Sequence, residues 1–220
     1  METIVLVGSS RHAKVVIDTV EKEGRYTIVG LIDAFRSVGE KTLGYSVLGV
    51  EIDLPKLIVE YDVKGMIIAI GDNSVRAEVA AKVVDICPEL PFVSAVHPTA
   101  SIGKEATLGV GTVVMAGAVV NPCCRVGQFC IVNTNASLDH DSVMEDFSSL
   151  APGVTIGGNC RIGSYSAVSI GAVLRNGITI GEHSVVGGGS IVLKDVDAFS
   201  VTYGIPAKKV RDRKKGEKYL

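Results

Sequence analysis

The sequence predicts two joined folds: a Rossmann-like α/β domain over residues 1–96 and a parallel β-helix over residues 97–207, followed by a basic tail, 208–220. The first observation behind this is a hexad. Every sixth residue from 102 is aliphatic: Ile102, Leu108, Val114, Val120, Val126, Val132, Leu138, Met144, Leu150, Ile156, Ile162, Val168, Leu174, Ile180, Val186 and Val192. The residue four positions after each is small in nearly every case, as at Ala106, Thr112, Ala118, Cys124 and Cys130. An unbroken hexad means short parallel strands wound into a coil, each turn burying its apolar side on the next. The second observation is the alternation of apolar strands with helices in residues 1–96, the pattern of a parallel sheet covered by helices. The third is composition. The chain is 47% hydrophobic, yet it has no Trp and only 5% aromatic residues, which suits a thin interior of stacked branched aliphatics.

The elements of the front half follow in order. Thr3–Val7 reads as a strand that ends in the loop Gly8-Ser9-Ser10-Arg11-His12. A helix follows from about Ala13 to Glu23, with Val15, Val16 and Val20 on one side. Tyr26–Ile32 is a second strand, closed by Asp33, and Leu54–Tyr61 is a helix. Met66–Ile70 is a third strand, and Gly71-Asp72-Asn73-Ser74 opens a helix that runs to about Ile86. Pro91–Ala95 reads as a fourth strand. Ligands of such sheets bind beyond the carboxyl ends of the strands. The Gly8–His12 loop, Asp33 and the Gly71–Asn73 loop are therefore expected to converge on one crevice. Past Val96, three hexads make each triangular coil, and the 25 glycines of the chain suit corners that need φ > 0. Val201–Lys208 reads as a capping segment, and the basic tail after it as a solvated end.

Several function classes are disfavoured. A net charge of −2 offers no attraction to nucleic acid or membrane. No apolar run approaches the roughly 20 residues of a membrane span. Met1-Glu2-Thr3-Ile4-Val5 lacks the basic start of a signal peptide and runs straight into a strand. The five cysteines are odd in number and form no CxxC pair. Cys124, Cys130 and Cys160 fall in the small slot of the hexad, where they act as small hydrophobes, and a reducing cytoplasm fits them.

Five motifs together resemble one family. They are Val7-Gly8-Ser9-Ser10-Arg11-His12-Ala13, Leu31-Ile32-Asp33-Ala34-Phe35, Ile68-Ala69-Ile70-Gly71-Asp72-Asn73, Ser137-Leu138-Asp139-His140-Asp141 and Gly204-Ile205-Pro206-Ala207-Lys208. In this combination the chain resembles the NeuD/PglD-type bacterial sugar acetyltransferases of the hexapeptide-repeat superfamily. The resemblance implies a left-handed coil, a homotrimer, acetyl-CoA as co-substrate in the groove between neighbouring coils, and no metal. It also implies a nucleotide-linked amino sugar, of the UDP-4-amino-4,6-dideoxy type, held by the front domain and acetylated on its amine for glycan synthesis. The alternative within the family is O-acetylation of a sugar such as sialic acid.

Acetyl transfer needs a base for the attacking amine, and a base that titrates near neutrality is best supplied by His. Among His12, His97, His140 and His183, the residue between two carboxylates is His140. The resemblance makes His140 the general base and Asp141 the group that tunes it. By the same resemblance, Ser10, Arg11, His12, Asp33, Ala34 and Gly71 would contact the nucleotide sugar, and Ser149, Ile170 and Gly188 the acetyl-CoA. The first loop carries Arg11 and Ala13 where relatives have glycines, Ala34 stands where they have a second Asp, and Ser149 where many have His. His97 reads as structural and His183 as a surface residue. A zinc site of the γ-carbonic anhydrase kind needs three converging histidines, and these do not repeat in phase with the coil. A nicotinamide site is opposed by the poor glycine fingerprint of the first loop.

Overall fold

β1 (Glu2–Val7) is buried along its last four residues because it is an inner strand of a five-stranded sheet. β2 (Tyr26–Ile32) and β5 (Gly65–Ile68) flank it in parallel register, as their continuous apolar runs require. The computed structural model describes residues 1–219. α1 (Arg11–Glu23) and α3 (Asn73–Ile86) follow β1 and β5, and α2 (Leu54–Tyr61) follows a 3-10 turn at Glu51–Asp53. α1 ends at Gly24 in the left-handed conformation that stops a helix.

A hairpin completes the sheet and was not expected. β3 (Lys41–Thr42) and β4 (Tyr45–Gly49) are joined by Leu43-Gly44, both at φ > 0, and β4 adds in parallel to β2. A two-residue turn with Gly second is a legible hairpin signal. Pro91–Ala95, by contrast, is not a strand of the sheet. Phe92 makes one bridge to Met66, and the chain then leaves to pair β6 (Ala95–Val96) with Val113–Val114 of the coil.

Sixteen two-residue strands, β7 (Ser101–Ile102) to β22 (Ile191–Val192), recur every six residues. Each pairs with the strand one coil away, as Val120 does with Ile102 and with Leu138, which builds three parallel sheets. The hexad aliphatics from Val114 to Val192 form one buried cluster with Cys124, Cys130 and Cys160. Hydroxyls in the small slots are fully used. Ser166 Oγ donates to the Gly181 carbonyl at 2.7 Å and accepts from the Ser184 N–H at 2.9 Å, which ties adjacent coils together from within. Beyond Val192, β23 (Ser200–Gly204) and β24 (Ala207–Asp212) form an antiparallel cap.

Glycine does not dominate the corners as composition suggested. Every corner from Glu105 to Gly189 turns through a residue whose φ lies between 52° and 73°, and these include Glu105, Cys123, Asn135, Asp141 and Asn159 as well as Gly117 and Gly153. One corner column is aromatic: Phe129, Phe147, Tyr165, His183 and Phe199 stack face to face, with neighbouring centroids 4.5–5.4 Å apart. A left-handed bulky residue costs roughly 1–2 kcal/mol. Stacking returns about 0.5–1.5 kcal/mol per pair beyond the burial of the rings, and α3 supplies that burial. His183 is therefore not a surface residue: it lies buried between Tyr165 and Phe199, with its pKa lowered mainly by burial.

The front half packs on this aromatic corner and on the adjoining sheet face. Val113, Met115 and Ile131 share a core with α1, and Thr19 of α1 reaches Met115. Arg76 of α3 is fully buried, and all of its donors are used. Nε donates to the Phe129 carbonyl (2.8 Å), Nη1 to those of Ile70 (3.0 Å) and Gly71 (2.9 Å), and Nη2 to Asn73 Oδ1 (2.7 Å) and the Phe147 carbonyl (3.2 Å). One side chain thus joins the third loop of the front half to two coils. Among the described residues, no helix is long and apolar enough to cross a membrane.

Candidate active site

His140 sits on the turn Asp139–Ser142, pinned by the coils on either side. The Asp141 N–H donates to the Pro122 carbonyl (3.2 Å), and the Asn159 N–H to the His140 carbonyl (2.9 Å). Asp139 Oδ1 accepts from the His140 N–H and from Asn121 Nδ2, both at 2.8 Å, which fixes that carboxylate beside His140. His140 Nδ1 lies 2.8 Å from Asp141 Oδ2. A carboxylate only accepts, so Nδ1 carries the proton and Nε2 keeps its lone pair. The short arm of Asp141 reaches because its backbone is left-handed, at φ 58°. The bond to Asp141, followed by the charge of Asp139, raises the His140 pKa above its ordinary value. Both side chains are about half exposed, at 50% and 54%.

Gly158, one coil on, makes room for the ring. A Cβ there would lie 2.6 Å from His140 Nε2. Gly158→Ala is expected to leave folding intact, because this backbone is not left-handed, and to turn the imidazole away. The expected reading is an unchanged melting temperature with activity reduced tenfold or more; full activity would show that the ring tolerates the shift.

The crevice beyond the strand ends is a cavity lined by Gly8, Ser10, Asp33, Ala34, Phe35, Arg36, Glu51 and Ile70, among others. Gly8, at φ 104°, permits its depth, since a Cβ would meet Ile70 at 2.9 Å and the Ala69 carbonyl at 3.0 Å. Asp33 is engaged by its own loops: Oδ2 accepts from Ser9 N (2.9 Å) and Ser9 Oγ (2.6 Å), and Oδ1 from Phe35 N (2.9 Å). Ser10, Asp33 and Ala34 are thus brought together. Arg11 is exposed on α1, and the cation lining the crevice is Arg36, held by Thr42 Oγ1 at 2.6 Å and Glu40 at 3.0 Å. Ser9, Arg36 and Glu51 were not picked out in the sequence. Ser9 adjoins Ser10 in the same loop and was within reach, whereas Glu51 becomes buried only by the packing that pairs it with Lys82 at 3.1 Å.

His12 and Gly71 are not among the residues lining that cavity. The Gly71 carbonyl already accepts from Arg76, and the His12 ring feels the same arginine. Burial first, and Arg76 second, lower the His12 pKa to about 4, so the ring is neutral, and its buried Nε2 has no partner.

Ile170, 63% exposed, and Gly188 are neighbours on successive coils, where a Cβ on Gly188 would lie 3.3 Å from Ile170 Cγ2. Ser149 is 8% exposed and 3.2 Å from Tyr219 Oη, under the chain that follows the cap. The basic tail is solvated only in part: Lys208–Asp212 lie exposed along β24, whereas Arg213 is buried.

The comparisons with known proteins match this geometry. A family model described as the PglD N-terminal domain matches residues 3–83. The fold of the whole chain matches a His-to-Ala variant of GDP-perosamine N-acetyltransferase from Caulobacter crescentus, solved with CoA and GDP-perosamine. Identity is 32%, the match covers 96% of this chain and 98% of that one, and the TM-score is 0.90. The chain belongs to the PglD-type sugar acetyltransferase family. Its coil is the left-handed parallel β-helix of these enzymes. The family also includes the acetyltransferase domain of PglB from Neisseria gonorrhoeae, solved with acetyl coenzyme A, at 29% identity over 95% of this chain and 99% of that one, TM-score 0.86. UDP-N-acetylbacillosamine N-acetyltransferase of Bacillus subtilis is 30% identical over 122 residues, 53% of this chain. The matches span about half or less of the length of the curated relatives, 52% of that enzyme and 46% of a Bacillus subtilis serine acetyltransferase.

Proposed function

We propose that this protein transfers the acetyl group of acetyl-CoA to the amine of a nucleotide-linked amino sugar, for the synthesis of a glycan. The observation that carries the reading is the His140–Asp141 pair, which leaves the Nε2 lone pair free, in a chain that matches a nucleotide-sugar N-acetyltransferase over 96% of its length. The amine attacks the thioester carbonyl, His140 Nε2 takes the amine proton, and the CoA thiolate leaves as the amide forms. Asp141 holds the imidazole in the required tautomer and stabilises the imidazolium.

In this reading Gly8, Ser10, Asp33 and Ala34 hold the nucleotide end of the acceptor, with His12 and Gly71 nearer the coil. Ile170 and Gly188 line the donor groove, with Ser149 on the same flank. The protein works as a trimer. His140 lies at the corner of Cys123, Asp141 and Asn159, while the front half covers the corner of Phe129, Phe147 and Tyr165. An acceptor held by one chain therefore meets His140 of another. Exposed Ile170, Val173 and Leu193 are apolar surface for that association. Light scattering that finds an active monomer would overturn this arrangement. A cytoplasmic location is part of this reading, supported by the free cysteines and the use of acetyl-CoA.

The deciding assay supplies acetyl-CoA with UDP- and GDP-linked amino sugars, and with free sialic acid as the O-acetyl control, and measures CoA thiol release. Release with an amino-sugar nucleotide alone supports the reading, and release with sialic acid alone would replace it. The pH profile offers a second check. Because the His140 pKa is raised, activity should fall on the acid side through a midpoint above about 6.5. Asp141→Asn removes the largest cause, so its acid limb should move to lower pH while the maximal rate drops. An unmoved limb would detach Asp141 from the base.

A further inference from the structure

Residues 213–219 fold back from β24 as a strap across the seam between the two halves. Arg213 anchors it: the guanidinium donates to the His183 carbonyl at 2.9 Å and to the Glu217 carbonyl, and lies 5.5 Å from the centroid of the Tyr219 ring. Tyr219 Oη then stands 3.3 Å from the Gly71 carbonyl and 3.2 Å from Ser149 Oγ. A carbonyl can only accept, so the phenol donates its single proton to Gly71 and receives that of Ser149. The proton of Ser149 is thereby committed, and while Tyr219 is seated Ser149 offers a ligand none.

The same seam holds two buried polar atoms without a partner, His12 Nε2 and Asp72 Oδ2. His12, Asp72 and Tyr219 each interact with the charge of Arg76, which gathers them around one point. A buried polar atom without a partner is costly, so a pair of them marks a place where a ligand supplies the partners.

We infer that Tyr219 is a positioning residue for the acceptor, tying the Gly71–Asn73 turn to Ser149 so that the loop stands ready beside His12 when the nucleotide sugar enters. The inference rests on the acceptor reading above. Tyr219→Phe keeps the ring over Arg213 and removes both hydrogen bonds. The expected result is a KM for the nucleotide sugar raised about 5- to 20-fold, as the loss of one or two hydrogen bonds predicts, with kcat and the melting temperature little changed and a smaller shift in the KM for acetyl-CoA through the freed Ser149. Amide exchange in residues 69–75 of the ligand-free protein should also quicken.

An unchanged KM overturns the inference. So does a lowered one, which would make the strap an obstruction, or a parallel rise for both substrates, which would make the tyrosine merely structural. The exchange reading separates this from the function itself. A parent protein inert toward every nucleotide amino sugar defeats the acceptor reading, while exchange that does not quicken in the variant defeats the tether.

Discussion

His140→Ala is expected to acetylate its sugar substrate roughly a hundredfold or more slowly than the parent chain, with both substrates bound nearly as before. The size follows from what a positioned base contributes, typically 10²–10⁴-fold. Binding is spared because the crevice of Gly8, Asp33 and Arg36 and the Ile170–Gly188 flank lie elsewhere on the chain. Folding is spared because the side chain is half exposed and bonded only to Asp141. Steady-state rates of CoA release, with melting curves taken alongside, test this. Turnover within a few fold of the parent would remove His140 from the chemistry and, with it, the reading of the Asp139–Asp141 turn.

Arg76→Met should produce the largest loss of stability of any single change away from the cores. Methionine keeps the unbranched apolar stem and removes every donor. The carbonyls of Ile70, Gly71, Phe129 and Phe147 would then face a buried apolar group. At about 1–3 kcal/mol for each acceptor stranded, and with some water entering, a loss of about 3 kcal/mol or more is expected. For a chain of this size that lowers the melting temperature by roughly 6–12 °C. Because the lost bonds span the seam, the front half should also become more open to proteolysis than the coil. A shift under about 2 °C would mean that Arg76 behaves as an ordinary surface arginine and that the halves are joined by apolar contact alone.

The coil was legible because its rule is local. A strand of two residues, a turn and a small slot repeat every six positions, and Val120 must face inward wherever the coil is found. The contact between His140 and its neighbours was legible for a similar reason, since Asp139, His140 and Asp141 are adjacent and meet within one turn. β1, β2 and α2 were placed nearly residue for residue by their apolar runs and turn residues, and the β3–β4 hairpin carried a signal in Leu43-Gly44 that was passed over.

The corners were not legible. Phe129, Phe147, Tyr165 and His183 are far apart along the chain and become a stack only when the eighteen-residue coil superposes them. For the same reason His183 read as a surface residue. The crevice beyond the strand ends was half legible: Asp33 lines it as its place after β2 suggests, but its partner Ser9 and the neighbouring Arg36 owe their places to the packing of three loops.

Arg76 and Tyr219 are the extreme cases. Nothing in the sequence marks a basic residue within a helix, and a tyrosine near the end of a charged stretch reads as part of a solvated tail. Each acts through main-chain carbonyls of distant segments, and a carbonyl leaves no mark in the identity of its residue. Periodicity and adjacency act over a few bonds and so are written in the order of the amino acids. Burial, and the choice of which carbonyl meets which donor, exist only once the two halves have closed on each other.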